Sequence, residues 1–578
     1  MLAGRLGEVA GDGPVAGVLV VGAADVVDAA VVVQALGDAG VAGRLWVVTR
    51  GAVCVGRSDG AADPVRAAVW GLGRVAALEV PERWGGLVDL PEQIDGRALD
   101  RLVGVLAGGV EDQVAVRASG VFGRRLVHAP VPGGGVGGWV PRGTVLVTGG
   151  TGVLGGRVAR WVAERGAEHV VLTSRRGPQA PGARELEAEL SALGVRVTVA
   201  ACDVADRDAV RALLAEHPVD AVFHAAGVVD SVSLAVVDGV HFAGVMGAKA
   251  AGAAHLDEFL GDRELDAFVV FSSIAGVWGS GGQGAYAAAN AFVDGLVEAR
   301  RVRGLAGCSV AWGPWGEGGM AAAEGAEEHL RRRGLRPLDP GLALSVLEQA
   351  VGGTDGSVVV ADVEWERFAA AFTSTRPSPF LEDLPEAAEA LSGVPGKRVE
   401  DGVRPSLLDR LAGVSAVERS QAVLDLVRTH TAAVLGFRDL KSVEAAKAFR
   451  ELGFDSLTAV ELRNGLNADT GMRLPATLVF DYPAPQLLAE HVHDTLFGAT
   501  EVEPEAAVLA DLDRLASAIS RVSPENDVRG LVETRLRSIL SELGGVAEGD
   551  PKSAVSQQLD AATDDEIFDF INQELGRS

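Results

Sequence analysis

Two stretches of this 578-residue chain follow one plan, and they constrain its fold more than any other feature. GVLVVGAADVVDAAVVVQALGDAGVAGRLWVVTRG begins at Gly17 and GTVLVTGGTGVLGGRVARWVAERGAEHVVLTSRRG at Gly143. Each reads as an apolar strand, a small-residue turn, an amphipathic helix, a second strand and a basic-Gly ending, which is a βαβ unit. An α/β fold with two Rossmann-like halves is therefore expected. Only the second unit kept its glycines. Gly22-Ala23-Ala24-Asp25 stands where the second has Gly149-Gly150-Thr151-Gly152, and an acid at such a turn repels a pyrophosphate. Residues 1–140 are read as a structural half without cofactor, and 141–374 as the half that kept the cofactor turn.

Length alone argues for three or four domains. With 75 glycines and 48% hydrophobic but only 5% aromatic residues, the composition suits α/β units of Val, Ala and Leu rather than a disordered chain. The formal charge of -27 and the lack of a long Lys/Arg run argue against a nucleic-acid partner, because phosphate neutralisation needs a basic face. Cys54, Cys202 and Cys308 are far apart and form no CxxC pair, so neither a disulfide framework nor a metal site is expected, and the cytoplasm is the natural compartment. The apolar run VAGVLVVGAADVVDAAVVVQAL contains Asp25 and Asp28 and follows Glu8 and Asp12 with no basic segment; it is read as neither a signal peptide nor a membrane span.

A turn-rich connector, PVPGGGVGGWVPRG, precedes the second unit, and a Pro-, Gly- and acid-containing stretch over 375–406 reads as a linker. Only helical patterns follow, first over 407–497 and then over 505–578.

Gly149, Gly152 and Gly155 lie between an apolar strand and a helix, where missing side chains let backbone N–H groups approach a pyrophosphate. After the next strand, Ser174, Arg175 and Arg176 stand where an acid would bond the ribose of NAD. Guanidinium forks there suit a 2′-phosphate, which makes NADPH the expected cofactor. Asp203 and Val204 follow a third strand and could edge the adenine; a helix cap is the rival role for Asp203.

Together T-G-G-x-G from Thr148, S-R-R-G from Ser174, H-A-A-G from His224 and the S…Y-A-A-A-N run from Ser273 to Asn290 resemble the short-chain dehydrogenase/reductase superfamily, specifically the ketoreductase domain of modular type I polyketide synthases. Most short-chain reductases carry a lysine one helical turn after the tyrosine, where this chain has Asn290. In these ketoreductases lysine and asparagine have exchanged places, which puts the lysine on the preceding helix. HFAGVMGAKAAGAAHLDEFL offers one, Lys249, and its small apolar neighbours make it a candidate for desolvation. The resemblance implies hydride transfer from NADPH to a ketone, with Tyr286 as general acid, Ser273 bonding the same oxygen and Lys249 lowering the tyrosine pKa. Asn290, on the same helical face as Tyr286, would hold the lysine or its relay water. Further cofactor contacts are implied for Thr148, Gly150, Thr151, Lys249, Phe271 and Ser272.

Stereocontrol is implied by two features. Members giving the D-hydroxyl resemble one another in an L-D-D motif, where this chain reads Val229-Asp230-Ser231; members giving the L-hydroxyl carry a tryptophan eight residues before the tyrosine, where Trp278 stands. Gln283 replaces the histidine of epimerising members, so an A-type, non-epimerising reductase is expected.

The segment AKAFRELGFDSLTAVELRNGLNADTGMRLPATLVFDYPAPQLLAEHV resembles an acyl carrier protein, which implies 4′-phosphopantetheine on Ser456, attached by a phosphopantetheinyl transferase. The carried β-ketoacyl chain would be the substrate, elongated by upstream module domains. Beyond it, Leu509, Leu512, Ala516 and Ile519, then Val528, Leu531 or Val532, Leu536 and Leu540, repeat at helical intervals. The family reading is a C-terminal docking domain that makes a homodimer. Its last helix, with Ile567, Phe570, Ile571 and Leu575 set among acids, would engage the downstream polypeptide. Nothing in the chain resembles a ketosynthase or acyltransferase, so a piece of a larger module is expected. Two rival readings are a reductase of diffusible ketones, opposed by the fused carrier, and a carrier scaffold with a relic reductase, opposed by the presence of Lys249, Ser273, Tyr286 and Asn290.

Overall fold

The computed structural model describes residues 2–497 without 11–14, 24, 57, 58, 130–137, 319–329, 375, 393–410, 412–414, 436, 438, 453, 455, 473, 476 and 477. The expected docking domain, its dimer and its partner helix lie outside the described residues.

In the first half, strands β1 (Gly17–Val21), β2 (Arg44–Arg50), β3 (Trp84–Leu90), β4 (Gln113–Arg117) and β5 (Gly120–Gly123) form one sheet in chain order, parallel but for the β4–β5 pair. Its helices are α1 (Leu2–Ala10), α2 (Val26–Asp38), α3 (Pro64–Glu79) and α4 (Gly96–Gly108). Asp25, Asp63 and Asp95 each accept backbone N–H groups at the starts of α2, α3 and α4. Asp25 thus fills the helix N-terminus that a pyrophosphate would need: its carboxylate takes the N–H groups of Val27 at 2.8 Å and Asp28 at 3.1 Å.

The second half holds β6 (Thr144–Thr148), β7 (His169–Ser174), β8 (Arg196–Ala201), β9 (Ala221–His224), β10 (Ala267–Ser273), β11 (Cys308–Trp312) and β12 (Ser357–Val360), ordered β12-β11-β10-β9-β6-β7-β8 and parallel throughout. Every residue of β10 is buried, as a parallel strand covered on both faces must be. The covering helices are α5 (Val153–Glu164), α6 (Ala183–Ala192), α7 (Arg207–Glu216), α8 (Gly239–Met246), α9 (Gly252–Leu260), α10 (Ile274–Trp278), α11 (Gly284–Val302), α12 (Pro340–Gly352) and α13 (Trp365–Phe372). The order of strand addition reverses between β6 and β9, so the crevice at their C-terminal ends is where such a sheet binds a ligand.

The halves meet where α3 crosses α11. Small residues face each other there: a Cβ on Gly71 would stand 2.5 Å from the Ala287 carbonyl oxygen and 2.8 Å from the Ala291 Cβ, and one on Gly295 would stand 2.9 Å from the Ala67 Cβ. Trp70, Leu72, Val75 and Ala76 of α3 bury themselves in one cluster with Ala285, Tyr286, Ala287 and Ala288 of α11.

The expected linker needs correcting at its start. Residues 379–381 form a 3-10 turn and α14 (Pro385–Ser392) follows, with Phe380, Leu381, Leu384 and Ala387 buried against Ile274, Val277, Trp278 and Phe368. Four apolar side chains in a Pro- and acid-rich stretch decide the matter: this piece belongs to the reductase core. The carrier region contains α15 (Ala416–Leu435), α16 (Phe449–Leu452), α17 (Ser456–Thr470), α18 (Leu478–Asp481) and α19 (Pro485–Phe497), closed around Val423, Val427, Leu462, Leu466, Leu488 and Val492. Among the described residues no helix is long and apolar enough to cross a membrane, and no group of three His, Cys, Asp or Glu could hold a metal.

Overpacking the α3–α11 crossing should be costly. Gly71→Val is expected to lower unfolding free energy by about 1–3 kcal/mol, read as a lower urea midpoint; an unchanged midpoint would show that α11 can move aside.

Candidate active site

β10 delivers Ser273 at its C-terminal end, where it also caps α10 by accepting the Ala275 N–H at 3.2 Å. α11 delivers Tyr286 and Asn290 one turn apart. The phenol is buried, which raises its pKa, while hydrogen bonding to the Ser273 and Asn290 side chains opposes that rise. Asn290 is itself fully buried: Nδ2 donates to the Tyr286 carbonyl at 2.7 Å, and Oδ1 has no partner.

Lys249 reaches the same place from a π-helical turn, Gly247–Ala251, between α8 and α9. Such bulges redirect a side chain out of the regular helical register. Its Nζ donates to the Phe271 carbonyl at 2.5 Å, and the side chain is 3% exposed. Burial lowers its pKa to about 8, with Asp294 pulling the other way. His224 braces the turn from below, bonding the Lys249 carbonyl through Nε2 at 2.9 Å and Thr148 Oγ1 through Nδ1 at 2.8 Å. Burial, reinforced by the charge of Lys249, pulls this imidazole down to about 4, so it stays neutral.

The glycine turn after β6 is a cradle that side chains would fill. A Cβ on Gly155 would lie 2.2 Å from the Gly149 carbonyl oxygen, and Gly149 itself has φ +66° with its Cα side against Ala226. Gly152 starts α5 with no side-chain cap, the opposite of Asp25 in the first half. Beside it Ser174 Oγ is buried without a hydrogen-bond partner, and Arg175 and Arg176 are exposed.

These features agree with three comparisons. The KR domain model matches residues 143–317, the Rossmann fold domain of polyketide synthase extender module SpnB matches 7–126, and the phosphopantetheine attachment site matches 425–492. A solved A1-type ketoreductase is 50% identical with a TM-score of 0.66, covering 68% of this chain and 86% of that one. The chain belongs to the ketoreductases of modular type I polyketide synthases. Among curated relatives, polyketide synthase GfsA of Streptomyces halstedii is 52% identical over 81% of this chain, and pikromycin polyketide synthase component PikAIII of Streptomyces venezuelae 48% identical over 84%. The chain spans only 6% and 32% of their respective lengths. It is an NADPH-dependent ketoreductase joined to a phosphopantetheine carrier domain. The uncapped start of α5, the unpartnered Ser174 hydroxyl and the two free guanidinium forks fit a dinucleotide with a 2′-phosphate.

Several residues expected at the cofactor or substrate sit differently in this ketoreductase. The Thr148 side chain is fully buried on His224, and Phe271 turns its ring into the core against Trp312 while its carbonyl holds Lys249. Val204 is buried, close against Gly252, which leaves its backbone rather than its side chain for the adenine edge. Asp203 forms a local turn with Ala205, and the cap of α7 is Asp206. Trp278 does not stand on an open wall: it is 5% exposed, with its indole 5.1 Å from the Phe368 ring. Gln283 sits half-buried at the start of α11, its backbone joined to Val232 by an isolated bridge. Ser456 is the first residue of α17, and Asp455 lies outside the described residues.

The sequence reading missed a grip from the silent half. Arg74 donates to the Gly276 carbonyl and Arg124 to the Val277 carbonyl at 2.7 Å, and both share Gln113 Oε1, at 3.1 and 3.2 Å. Two guanidinium groups thereby hold the end of α10 just before Trp278. The available signal was a single arginine inside the apolar stretch WGLGRVAAL. These arginines also line a cavity of about 1270 Å³ with Gln113, Asp294, Glu298 and Trp278; Lys249, Ser273 and Tyr286 do not line it, so it is not the reductase site.

Because Lys249 titrates at about 8 when folded and at 10.5 ordinarily, the unfolded chain holds a proton between those values that the native state has lost. Stability contributed by this site therefore rises with pH across that window, and the burial cost is fully felt below it. Lys249→Met should raise the urea midpoint at pH 7, with the gain shrinking toward pH 10.5. A lower midpoint at pH 7 would mean that the bond to Phe271 outweighs the burial cost.

Proposed function

We propose that this chain reduces a β-ketoacyl thioester, held on phosphopantetheine at Ser456, to the L-β-hydroxyacyl thioester without epimerising an α-substituent. The observation that carries this reading is the buried group of Tyr286, Ser273, Lys249 and Asn290 at the end of β10, beside the uncapped glycine turn. Bound NADPH supplies the hydride. As the ketone oxygen gains charge, Ser273 donates a hydrogen bond to it and Tyr286 gives it a proton. Burial keeps the phenol protonated until then, and the role assigned to the Lys249 ammonium is to stabilise the phenolate left behind. Asn290 fixes Tyr286 through its carbonyl, and its unpartnered Oδ1 is the acceptor assigned to Lys249 or a relay water.

Three features support the L hand: Trp278 eight residues before Tyr286, the sequence Val229-Asp230-Ser231, and 50% identity to an A1-type ketoreductase. With the indole packed on Phe368, Trp278 acts by fixing the shape of the turn that leads into α11. A bias of ~1–3 kcal/mol is enough for 10- to 200-fold selectivity. A phosphopantetheinyl transferase would prime Ser456, upstream module domains would supply the chain, and residues 505–578 would dimerise and pass it to a downstream polypeptide.

Tyr286→Phe should retain NADPH binding and lose reduction of a β-ketoacyl thioester by about 10²–10⁴-fold; parental turnover in that variant would remove the acid assignment. Chiral chromatography of the parental product should give the L-β-hydroxy thioester, and a D product would overturn the A-type reading. Intact mass should rise by one phosphopantetheine when the chain meets coenzyme A and a transferase, and stay unchanged in Ser456→Ala; a second modified serine would move the carrier site.

A further inference from the structure

The last turn of α3 faces two ways. Outward, its final carbonyls receive the carrier: Arg463 Nη2 donates to the Glu79 carbonyl at 3.0 Å, and Asn464 Nδ2 donates to the Leu78 carbonyl at 3.0 Å. Arg463 also clasps Asn464, with Nη2 and Nε donating to its Oδ1 at 2.7 and 3.1 Å, so the two side chains present one rigid donor pair. Carbonyls at a helix C-terminus lack intrahelical partners and form the negative end of its dipole, which suits a guanidinium and an amide N–H. Inward, the buried Glu79 carboxylate binds two segments that border the start of α11. Oε2 accepts from Ser233 Oγ at 2.7 Å and Leu234 N at 2.9 Å, and Oε1 accepts from Gly282 N at 2.8 Å. Those segments are tied to each other by the Val232–Gln283 bridge, one and three residues from Gly284 and Tyr286.

We propose that the C-terminal turn of α3 is the landing site of the chain's own carrier during reduction, gripped by Arg463 and Asn464, and that Glu79 is a positioning residue joining this landing site to the segments around Tyr286. The proposal rests on the reading of Ser456 as the phosphopantetheine site. Ser456 opens the helix that lands, about 10–12 Å before Arg463 and Asn464 along α17. The contact replaces hydrated carbonyls with two side-chain hydrogen bonds, a net gain small enough for the carrier to leave after reduction. Tethering raises the local carrier concentration, so such a weak contact suffices.

The test uses the full chain, loaded at Ser456 with a β-ketoacyl-phosphopantetheine from the corresponding coenzyme A thioester, and follows single-turnover NADPH consumption. The paired variant Arg463→Gln, Asn464→Asp keeps side-chain volume close to the parent but loses the cation and the Nδ2 donor. Tethered reduction should fall about tenfold, while turnover of a small diffusible β-ketoacyl thioester stays within twofold. Unchanged transferase loading, read by intact mass, shows that the carrier is still folded. Tethered reduction within twofold of the parent overturns the landing site. Glu79→Gln should slow both substrates and change the ratio of hydroxyl enantiomers; an unchanged ratio and diffusible rate overturn the role of Glu79. A parental chain that fails to load at Ser456 removes the carrier reading and this inference with it. A parent that loads but reduces neither substrate removes the reductase reading instead.

Discussion

Everything at this site depends on how closely α3 and α11 approach. Gly71 and Gly295 let the backbones meet where ordinary side chains would hold them apart, with Ala67, Ala287 and Ala291 filling the seam. Tyr286 and Asn290 each precede a seam alanine, Ala287 and Ala291, by one residue, so the face that carries chemistry lies about 100° around the helix from the face that is clamped. A shift of the clamp is then a rotation or slide of the phenol. Positioning errors of an ångström cost orders of magnitude in rate, so the catalytic geometry is set partly by a glycine in the first half.

Electrostatics divide the two halves along the same line. At the first βα turn Asp25 spends the positive end of α2 on its own carboxylate, whereas Gly152 leaves the end of α5 open to an anion. Buried charge is concentrated instead beneath α10 and α11, where burial lowers Arg124 to about 10 and raises Glu298 to about 7, with Asp294 between them and Lys249. Charges placed there contribute little net stability to one another because desolvation offsets their attraction. What the two guanidinium groups supply is position, since each joins Gln113 to a carbonyl at the end of α10, Gly276 for Arg74 and Val277 for Arg124.

Much of this was legible in the sequence, for physical reasons. Strand and helix periodicity is local, and so is the glycine spacing of the cradle, so both βαβ units and the cofactor turn could be read directly. Lys249 stood out because an isolated lysine among glycine and alanine has few reasons to be there. The π turn that aims it left no such trace, because it depends on His224 and Phe271, which are near Lys249 only in the folded sheet. Trp278 shows the same limit from the other side: its distance from Tyr286 in sequence was plain, but Phe368, which buries its ring, is ninety residues further on. The stretch 376–392 looked like linker because prolines and acids dominate its composition, while four apolar side chains decide its fate.

A half that has lost its cofactor turn could be expected to drift freely, and α3 explains which parts cannot. Along one helix, Gly71 admits α11, Arg74 holds the end of α10, and Glu79 ties down Leu234 and Gly282. Those positions are three and five residues apart and so spread around the helix, each reaching a different segment of the catalytic half. At the first βα turn, substitution of Asp25 puts at stake the cap of α2, about 1 kcal/mol. Substitution at any of these three contacts moves a wall of the active site or leaves a buried polar group unpaired, a penalty of about 1–3 kcal/mol for each such group. The silent half is thus a template for the shape of the other half, and its one long buried helix is the part in which that shape is written.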